Sequence, residues 1–203
     1  MLIAPLGPAH AAAAARLHIL GQPGTFLTSL GPDVLAVLYR TLPVWQGGFG
    51  FVALGASEPA PVLGFVSATT SVGGLFVEMG TRRLGQLLPP LLATYAHHPG
   101  LILRSMQTVL YPLLSHGEGG AEAELLSIMV EPAERSRGVG ALLMQALVYE
   151  CLHRGIPTLT VTVDAANPGA RRFYARYGFE LEKEFRMYGR GMCSYRRRLE
   201  IRD

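Results

Sequence analysis

The chain has 203 residues, of which 49% are hydrophobic and 16% are charged, and its formal net charge is +3. This length and composition are typical of one globular domain and exclude disordered and fibrous proteins. All basic residues except Lys183 are arginines, and they form no broad basic face with interleaved aromatics, so we expect no binding to nucleic acid.

Membrane insertion is not expected either. The N-terminal stretch is apolar, but it lacks a basic region and is broken by Pro5, Gly7 and Pro8, which argues against a signal peptide. The most apolar stretch, residues 84–114, contains two adjacent prolines and is too interrupted to span a bilayer. Its pattern favours two short helices packed on a core.

The two cysteines, Cys151 and Cys193, lie in apolar or mixed segments and have no partners at metal-binding spacing. They are typical of reduced packing residues in a cytoplasmic protein. The sequence therefore predicts a cytoplasmic protein without a metal site.

The first half of the chain is predicted to combine short strands with helices. The elements are a short first strand, helices over 10–20 and 31–42, strands over 49–54 and 62–69, and the helices within 84–114. Residues 21–30, "GQPGTFLTSL", are rich in turn formers, so we expect a loop there that could border a site. The segment "GASEPAP" between the two strands indicates a hairpin.

The second half carries stronger local signals. Residues 124–130, "ELLSIMV", form an apolar run typical of a central strand buried on both faces, and an amphipathic helix follows over 138–153. The alternating "TLTVTVD" predicts another strand. Asn167 and Gly178 are placed to cap the two ends of a short helix, after which two strands finish the chain. With no internal repeat or linker, we predict a single α/β or α+β domain over residues 1–203.

The loop "ERSRGVGALL", which joins the central strand to the 138–153 helix, has the composition of an anion site. The first amides of a helix have no internal partners, and the helix dipole places partial positive charge there. Gly138 and Gly140 let the backbone approach an anion closely, and Arg135 and Arg137 would add charge at the mouth.

Two further hypotheses fit the glycines of this loop. A dinucleotide-binding or methyl-donor fold also uses a Gly-x-Gly turn, but Leu143 stands where its third glycine belongs. Seven residues also separate the strand end from Gly138, whereas the dinucleotide turn is tight. The simpler hypothesis is a helix entry that needs flexibility, with the arginines solvated.

Two longer segments decide among these hypotheses. "ELLSIMVEPAERSRGVGALLMQAL" followed by "NPGARRFYARYGFE" resembles the GCN5-related N-acetyltransferase (GNAT) superfamily over about residues 122–188. The family's Arg/Gln-x-x-Gly-x-Gly/Ala signature corresponds to residues 135–140, and its later Asn, Ala, Phe-Tyr and Gly-Phe element corresponds to residues 167–179. The resemblance implies a central mixed, mostly antiparallel sheet with splayed middle strands, flanked by helices.

The resemblance also implies how acetyl-CoA binds as co-substrate. Met129 and Val130 are expected to run alongside the pantetheine arm, and Asn167 to contact it, although an N-cap role accounts for Asn167 equally well. The pyrophosphate is expected on the loop and the start of the helix, formed by Arg135, Ser136, Arg137, Gly138, Val139, Gly140 and Ala141.

Acyl transfer to an amine needs a route for the proton of the amine and a proton for the departing thiolate. Tyr174 resembles the family's general acid and also contacts the cofactor, whereas the alternative is that it packs with Phe173 and Tyr177 on an apolar helix face. Glu124 is the candidate general base, and the alternative is a solvated residue at the strand entry. His116 lies in the glycine-rich loop before this strand and is assigned no role.

The predicted function is direct transfer of an acetyl group from acetyl-CoA to a primary amine of a small molecule. A non-catalytic acyl-CoA sensor and a protein N-acetyltransferase are the alternatives. The resemblance implies that the ribosomal-protein N-acetylating branch of the family has a glutamate on the strand after the central one. The corresponding residue here is Thr162, which argues against a protein N-terminus as acceptor. The acceptor is expected over residues 22–29 and 84–114, where no acidic cluster stands. The apolar 84–114 segment is compatible with a partly hydrophobic acceptor or with a homodimer surface.

Overall fold

The computed structural model describes residues 1–103, 105, 122–187 and 189–200. Its described strands form one seven-stranded sheet, with the order β1-β2-β3-β4-β5-β7-β6. Neighbouring strands are antiparallel except β4 and β5, which are parallel, so the predicted mixed sheet is confirmed. The strands are β1 (Leu2–Pro5), β2 (Gly48–Leu54), β3 (Val62–Thr69), β4 (Glu122–Val130), β5 (Thr158–Asp164), β6 (Glu180–Met187) and β7 (Arg190–Arg198).

Helices cover both faces of the sheet. On one face α1, α3 and α4 bury Leu17, Leu35 and Phe65, and we call this cluster the α1 core. On the other face α6 and α7 bury Leu143, Leu147 and Tyr174, and we call this cluster the α6 core. The helices are α1 (Ala11–Gly21), α2 (Phe26–Ser29), α3 (Pro32–Thr41), α4 (Val72–Arg82), α5 (Leu84–His97), α6 (Val139–His153) and α7 (Pro168–Arg176).

The structure adds two helices to the predicted elements. The predicted loop over residues 21–30 contains α2, whose N-cap Thr25 accepts a hydrogen bond from the Thr28 backbone amide. Helix α4 was not predicted, because two adjacent glycines weaken its helical signal. Its N-cap Ser71 accepts from the Gly74 amide at 3.0 Å and starts the helix in spite of them.

The apolar segment 84–114 is described only in part. Helix α5 runs continuously through its proline pair, residues 101–103 are also helical, and residues 104 and 106–114 lie outside the described part. No residue of α5 is buried, and Leu84, Leu88 and Leu92 are exposed. A dimer surface on this segment therefore stays a prediction. In the described part of the chain, no helix combines the length and the apolar character needed to cross a bilayer.

Strand β4 is the central strand, as predicted, but it is not buried on both faces along its whole length. Ala123, Leu125 and Ser127 are buried, while Ile128, Met129 and Val130 are only half-buried. The cause is that the neighbouring strand β5 turns away from this end of β4.

Candidate active site

The middle of the sheet opens into a V between β4 and β5. The two strands pair at only four positions, from Glu122 opposite Thr158 to Leu125 opposite Val161. Beyond this point β4 pairs only with β3 among the described residues, and the register shifts by one residue between Leu125 and Ser127. The backbone edge of β4 that faces the V is therefore free to pair with a ligand.

The loop "ERSRGVGALL" brings the start of α6 to the open end of this V. A short 3-10 turn, Pro132–Glu134, follows β4. Ser136 then has a φ of 61° and Gly138 a φ of 84°, and α6 begins at Val139. The left-handed conformation of Gly138 is one that only glycine adopts without strain, and it aims the unpaired first amides of α6 outward.

The two predicted arginines of this loop are exposed and held near the strand end. Arg135 Nε donates to the Val130 carbonyl oxygen at 3.3 Å. Arg137 pairs with Glu134 at 3.4 Å, which offsets part of its charge. Both arginines belong to the loop that leads into α6, and the helix dipole favours an anion at the start of that helix.

Three elements that carry predicted site residues meet at Gly140. A β-carbon at this position would lie 3.4 Å from the Phe173 ring and 3.7 Å from Val130 Cγ2. The first turn of α6, the end of β4 and helix α7 are therefore in contact. Phe173 packs against the α6 core and contacts the rings of Tyr174 and Tyr177, in agreement with a packing role.

Helix α7 fixes the position of Asn167 and Tyr174. The Asn167 side-chain oxygen accepts from the Ala170 amide at 3.0 Å, so Asn167 is the N-cap of α7. Its side-chain amide group is exposed and makes no hydrogen bond to another described residue. The N-cap role is thus observed, and the contact with pantetheine stays a prediction.

Tyr174 is buried, with its ring against Phe173 and Phe179 at centroid distances of 5.4 Å. Burial raises the pKa of its phenol above the ordinary value, so the hydroxyl stays protonated at neutral pH. Within the described residues the hydroxyl has no hydrogen-bond partner. These properties suit a proton donor and also suit a packing residue.

Glu124 projects to the opposite face of the sheet from Tyr174, because its neighbours Ala123 and Leu125 point into the α6 core. Its side chain hydrogen-bonds to Thr162 of β5 across the V. Burial raises the pKa of the carboxyl, the nearby Glu122 carboxylate raises it further, and the bond to Thr162 lowers it. The Glu124 side chain is half-buried, and its role as the general base stays a prediction.

A polar bridge lies on the face of β5 that carries Thr162, and the sequence does not predict it. Arg190 forms an ion pair with Asp164, at the end of β5, and donates to the Gly24 carbonyl oxygen at 3.3 Å. Asp164 shares a face with Thr162, so the bridge borders the space beside Glu124. The alternation of β5 indicates the shared face, but no local signal points to Arg190 or Gly24.

Comparison with known proteins agrees with this geometry. Residues 106–179 match the model of the Acetyltransferase (GNAT) family. The matched segment is similar to a GNAT acetyltransferase domain. The resemblance inferred from the sequence is thereby confirmed. The whole chain also matches the fold of a GNAT-family protein from Desulfovibrio desulfuricans, with a TM-score of 0.62 and 16% identity over 98% of this chain and 100% of that one.

The chain also matches short segments of two curated acetyltransferases. The chain is 40% identical over 58 residues to the [Ribosomal protein bS18]-alanine N-acetyltransferase of Salmonella typhimurium, covering 29% of this chain and 39% of the relative. It is 40% identical over 70 residues to a mycothiol acetyltransferase of Clavibacter michiganensis, covering 34% and 21%. The chain thus spans less than two fifths of the length of these relatives. Among the described residues, no three His, Cys, Asp or Glu side chains are grouped to hold a metal ion.

Proposed function

We propose that this protein transfers an acetyl group from acetyl-CoA directly to a primary amine of a small molecule. The observation that carries this proposal is the left-handed Gly138 at the start of α6, beside the open edge of β4. Every helix start has unpaired amides, but one that serves packing alone does not need two glycines and a gap in the sheet at the same place.

The residues present fit acetyl-CoA. The amides from Ser136 to Ala141 are suited to hold a pyrophosphate, with the Arg135 and Arg137 side chains in the same loop, while the Arg135 amide donates to the Pro132 carbonyl oxygen. The free edge of β4 at Met129 and Val130 offers backbone donors and acceptors to the amide groups of the pantetheine arm. Acetyl-CoA supplies the activated acyl group when it is bound.

The two candidate catalytic residues lie on opposite sides of the V. Glu124, on the face of α1 and α3, accepts a proton as the amine nitrogen attacks the thioester carbon. Tyr174, on the face of α6, donates its proton to the sulfur as the carbon–sulfur bond breaks. The two residues exchange protons with solvent afterwards, and no acyl-enzyme is required. Positioning of both reactants contributes several kcal/mol, on the order of what effective molarities imply.

A second acceptor class is favoured by one observation, the likeness to the ribosomal-protein relative. In this second proposal the acceptor is the N-terminal amine of a protein. The resemblance implies glutamate in that branch at the position of Thr162, and a threonine hydroxyl is too weak a base to replace a carboxylate. The mycothiol acetyltransferase relative supports the small-molecule acceptor.

The first experiment is thermal unfolding of the protein alone and with acetyl-CoA, NAD or S-adenosylmethionine. A ligand at about a hundred times its Kd adds ~2.7 kcal/mol of stability, on the order of 5–10 °C for this chain length. We expect a shift with acetyl-CoA only. A shift with NAD or S-adenosylmethionine instead would contradict the cofactor assignment.

The second experiment identifies the acceptor class. Release of CoA is followed with a panel of small primary amines and with a peptide that begins with alanine. Turnover with small amines supports the first proposal, and turnover with the peptide alone supports the second. Binding of acetyl-CoA without turnover of any acceptor supports a sensor.

A further inference from the structure

A polar cluster lies inside the otherwise apolar α1 core. His18 of α1 is only 1% exposed, and its Nδ1 lies 2.6 Å from the Tyr39 hydroxyl of α3. The same Nδ1 lies 3.3 Å from the Ser127 hydroxyl of β4, and Tyr39 donates to Ser127 at 3.3 Å. We call these three residues the His18 triad. It joins three separate elements through side-chain hydrogen bonds.

Stability of the core does not account for the His18 triad. Buried polar groups gain little from their hydrogen bonds once the loss of hydration is counted, and an apolar residue of similar size is often as stable. His18 Nε2 is also buried and has no hydrogen-bond partner among the described residues. Leucine at this position would fill the same space beside Leu17 and Phe65 without that cost.

The position of the His18 triad along β4 indicates its purpose. Ser127 is the first residue after the register shift, where β4 has left β5. Met129, two residues further on the same face, packs against the last turn of α1, because a β-carbon at Gly21 would overlap the Met129 sulfur. His18 and Gly21 stand one turn apart on α1, so a single helix face holds both residues of β4.

We propose that His18, Tyr39 and Ser127 are positioning residues that fix the outer half of β4 for binding the pantetheine arm of acetyl-CoA. The inference rests on the proposed acetyl-CoA site. In that site Met129 and Val130 face the arm with their free backbone edge. On the other edge β3 holds β4 through the ladder, but no β5 strand limits its movement into the V. The His18 triad supplies that restraint from α1 and α3.

The test separates the pantetheine arm from the nucleotide end of the cofactor. Binding of acetyl-CoA and of adenosine 3′,5′-bisphosphate is measured by calorimetry at pH 8, together with thermal unfolding. The bisphosphate carries the nucleotide end of CoA and has no arm to lie along β4. The variants are His18→Leu, which removes the polar atoms, and His18→Asn, which keeps a polar atom near the position of Nδ1.

Thr41→Val is the matched control. Thr41 is another buried polar residue of α3, and its hydroxyl donates to the Val37 carbonyl oxygen at 2.8 Å without reaching β4. We expect His18→Leu to weaken acetyl-CoA binding on the order of tenfold, as loss of one or two hydrogen bonds implies. In the same His18→Leu variant, bisphosphate binding and the unfolding temperature should stay close to wild type. The His18→Asn and Thr41→Val variants should bind both ligands as the wild type does.

Three outcomes would overturn the inference. Unchanged acetyl-CoA binding in His18→Leu means that the triad has no role in the site. Parallel loss of both ligands and of thermal stability means that its role is structural. Failure of the wild type to bind acetyl-CoA removes the proposed function itself and this inference with it. If His18→Leu does not fold, Tyr39→Phe, which removes one hydroxyl from the triad, is judged by the same criteria.

Discussion

At the scale of single residues, the hydroxyl of Tyr174 can be separated from its ring. Tyr174→Phe keeps the contacts with Phe173 and Phe179, so we expect acetyl-CoA affinity and stability to stay near wild type. Turnover should fall on the order of a hundredfold, because the thiolate leaves without a proton donor. Steady-state kinetics with the best acceptor of the panel measures the loss. Tyr177→Phe, which removes a hydroxyl from the same aromatic group, is the control and should keep full turnover.

The turnover rate should depend on pH through the Glu124 carboxyl. As a general base, Glu124 works only when its carboxyl is deprotonated. Because burial raises the pKa of this carboxyl, kcat should fall at a higher pH than the pKa of an ordinary glutamate would give. Glu124→Gln should lower kcat and remove this acidic limb. Thr162→Val should move the limb to higher pH, because the hydrogen bond that lowers the pKa is lost. A limb that persists unchanged in Glu124→Gln would assign the proton transfer to another group.

At the scale of elements, the start of α6 is tested by a pair of glycines. Gly138 has a φ of 84° and Gly155, beyond the other end of the helix, has a φ of 67°, and a β-carbon added at either position would meet no atom within 4 Å. Alanine at either position should therefore cost a similar ~1–2 kcal/mol of unfolding free energy through the backbone alone. Only Gly138→Ala should also weaken acetyl-CoA binding, by about tenfold or more, because its loop is the proposed pyrophosphate site. Urea unfolding and calorimetry measure the two effects, and equal affinities in both variants would contradict the loop assignment.

Elements with strong local signals could be predicted from the sequence. The apolar run of β4, the Asn167 cap of α7 and the glycine start of α6 all act within a few residues of the chain. Helix α4 was missed because its only clear local signal is the cap at Ser71. The burial of β4 was overestimated because the sequence does not show where a neighbouring strand ends its pairing.

The side-chain partners within the site could not be predicted in this way. The hydrogen bond between His18 and Ser127 joins residues 109 positions apart, and the bond between Arg190 and Gly24 spans 166 positions. Such pairs are set by the order of strands across the sheet and not by any spacing along the chain. The sequence therefore predicted Glu124 as a candidate base and left the partner that tunes it unassigned.

At the scale of the whole molecule, the sheet consists of two antiparallel parts joined by one short parallel pairing. Strands β1 to β4 form one part, and β5, β7 and β6 form the other. The four paired positions between β4 and β5 hold the parts together at one end and leave them apart at the other. The V is thus a property of the strand order, and the two cores on its sides keep Glu124 and Tyr174 on opposite faces.

Burial of His18 in the α1 core should also make the free energy of unfolding depend on pH. Burial lowers the pKa of His18 from 6.5 to about 4, so the folded protein holds it neutral while the unfolded chain protonates it below pH 6.5. The unfolded state then binds more protons, and stability is lost as the pH falls from 6.5 towards 4. At pH 5 this loss amounts to about 2 kcal/mol relative to pH 8.

Urea unfolding of the wild type and of His18→Asn at pH 8 and pH 5 isolates this effect, since all other titrating groups are common to both proteins. We expect the wild type to lose more stability than the variant between the two pH values, by about the same 2 kcal/mol. Equal losses in the two proteins would mean that His18 takes up its proton in the folded state, and the hydrogen bonds of its Nδ1 would then have to be reassigned. Because His18 is neutral at pH 8, the binding measurements on the triad at that pH are free of this titration.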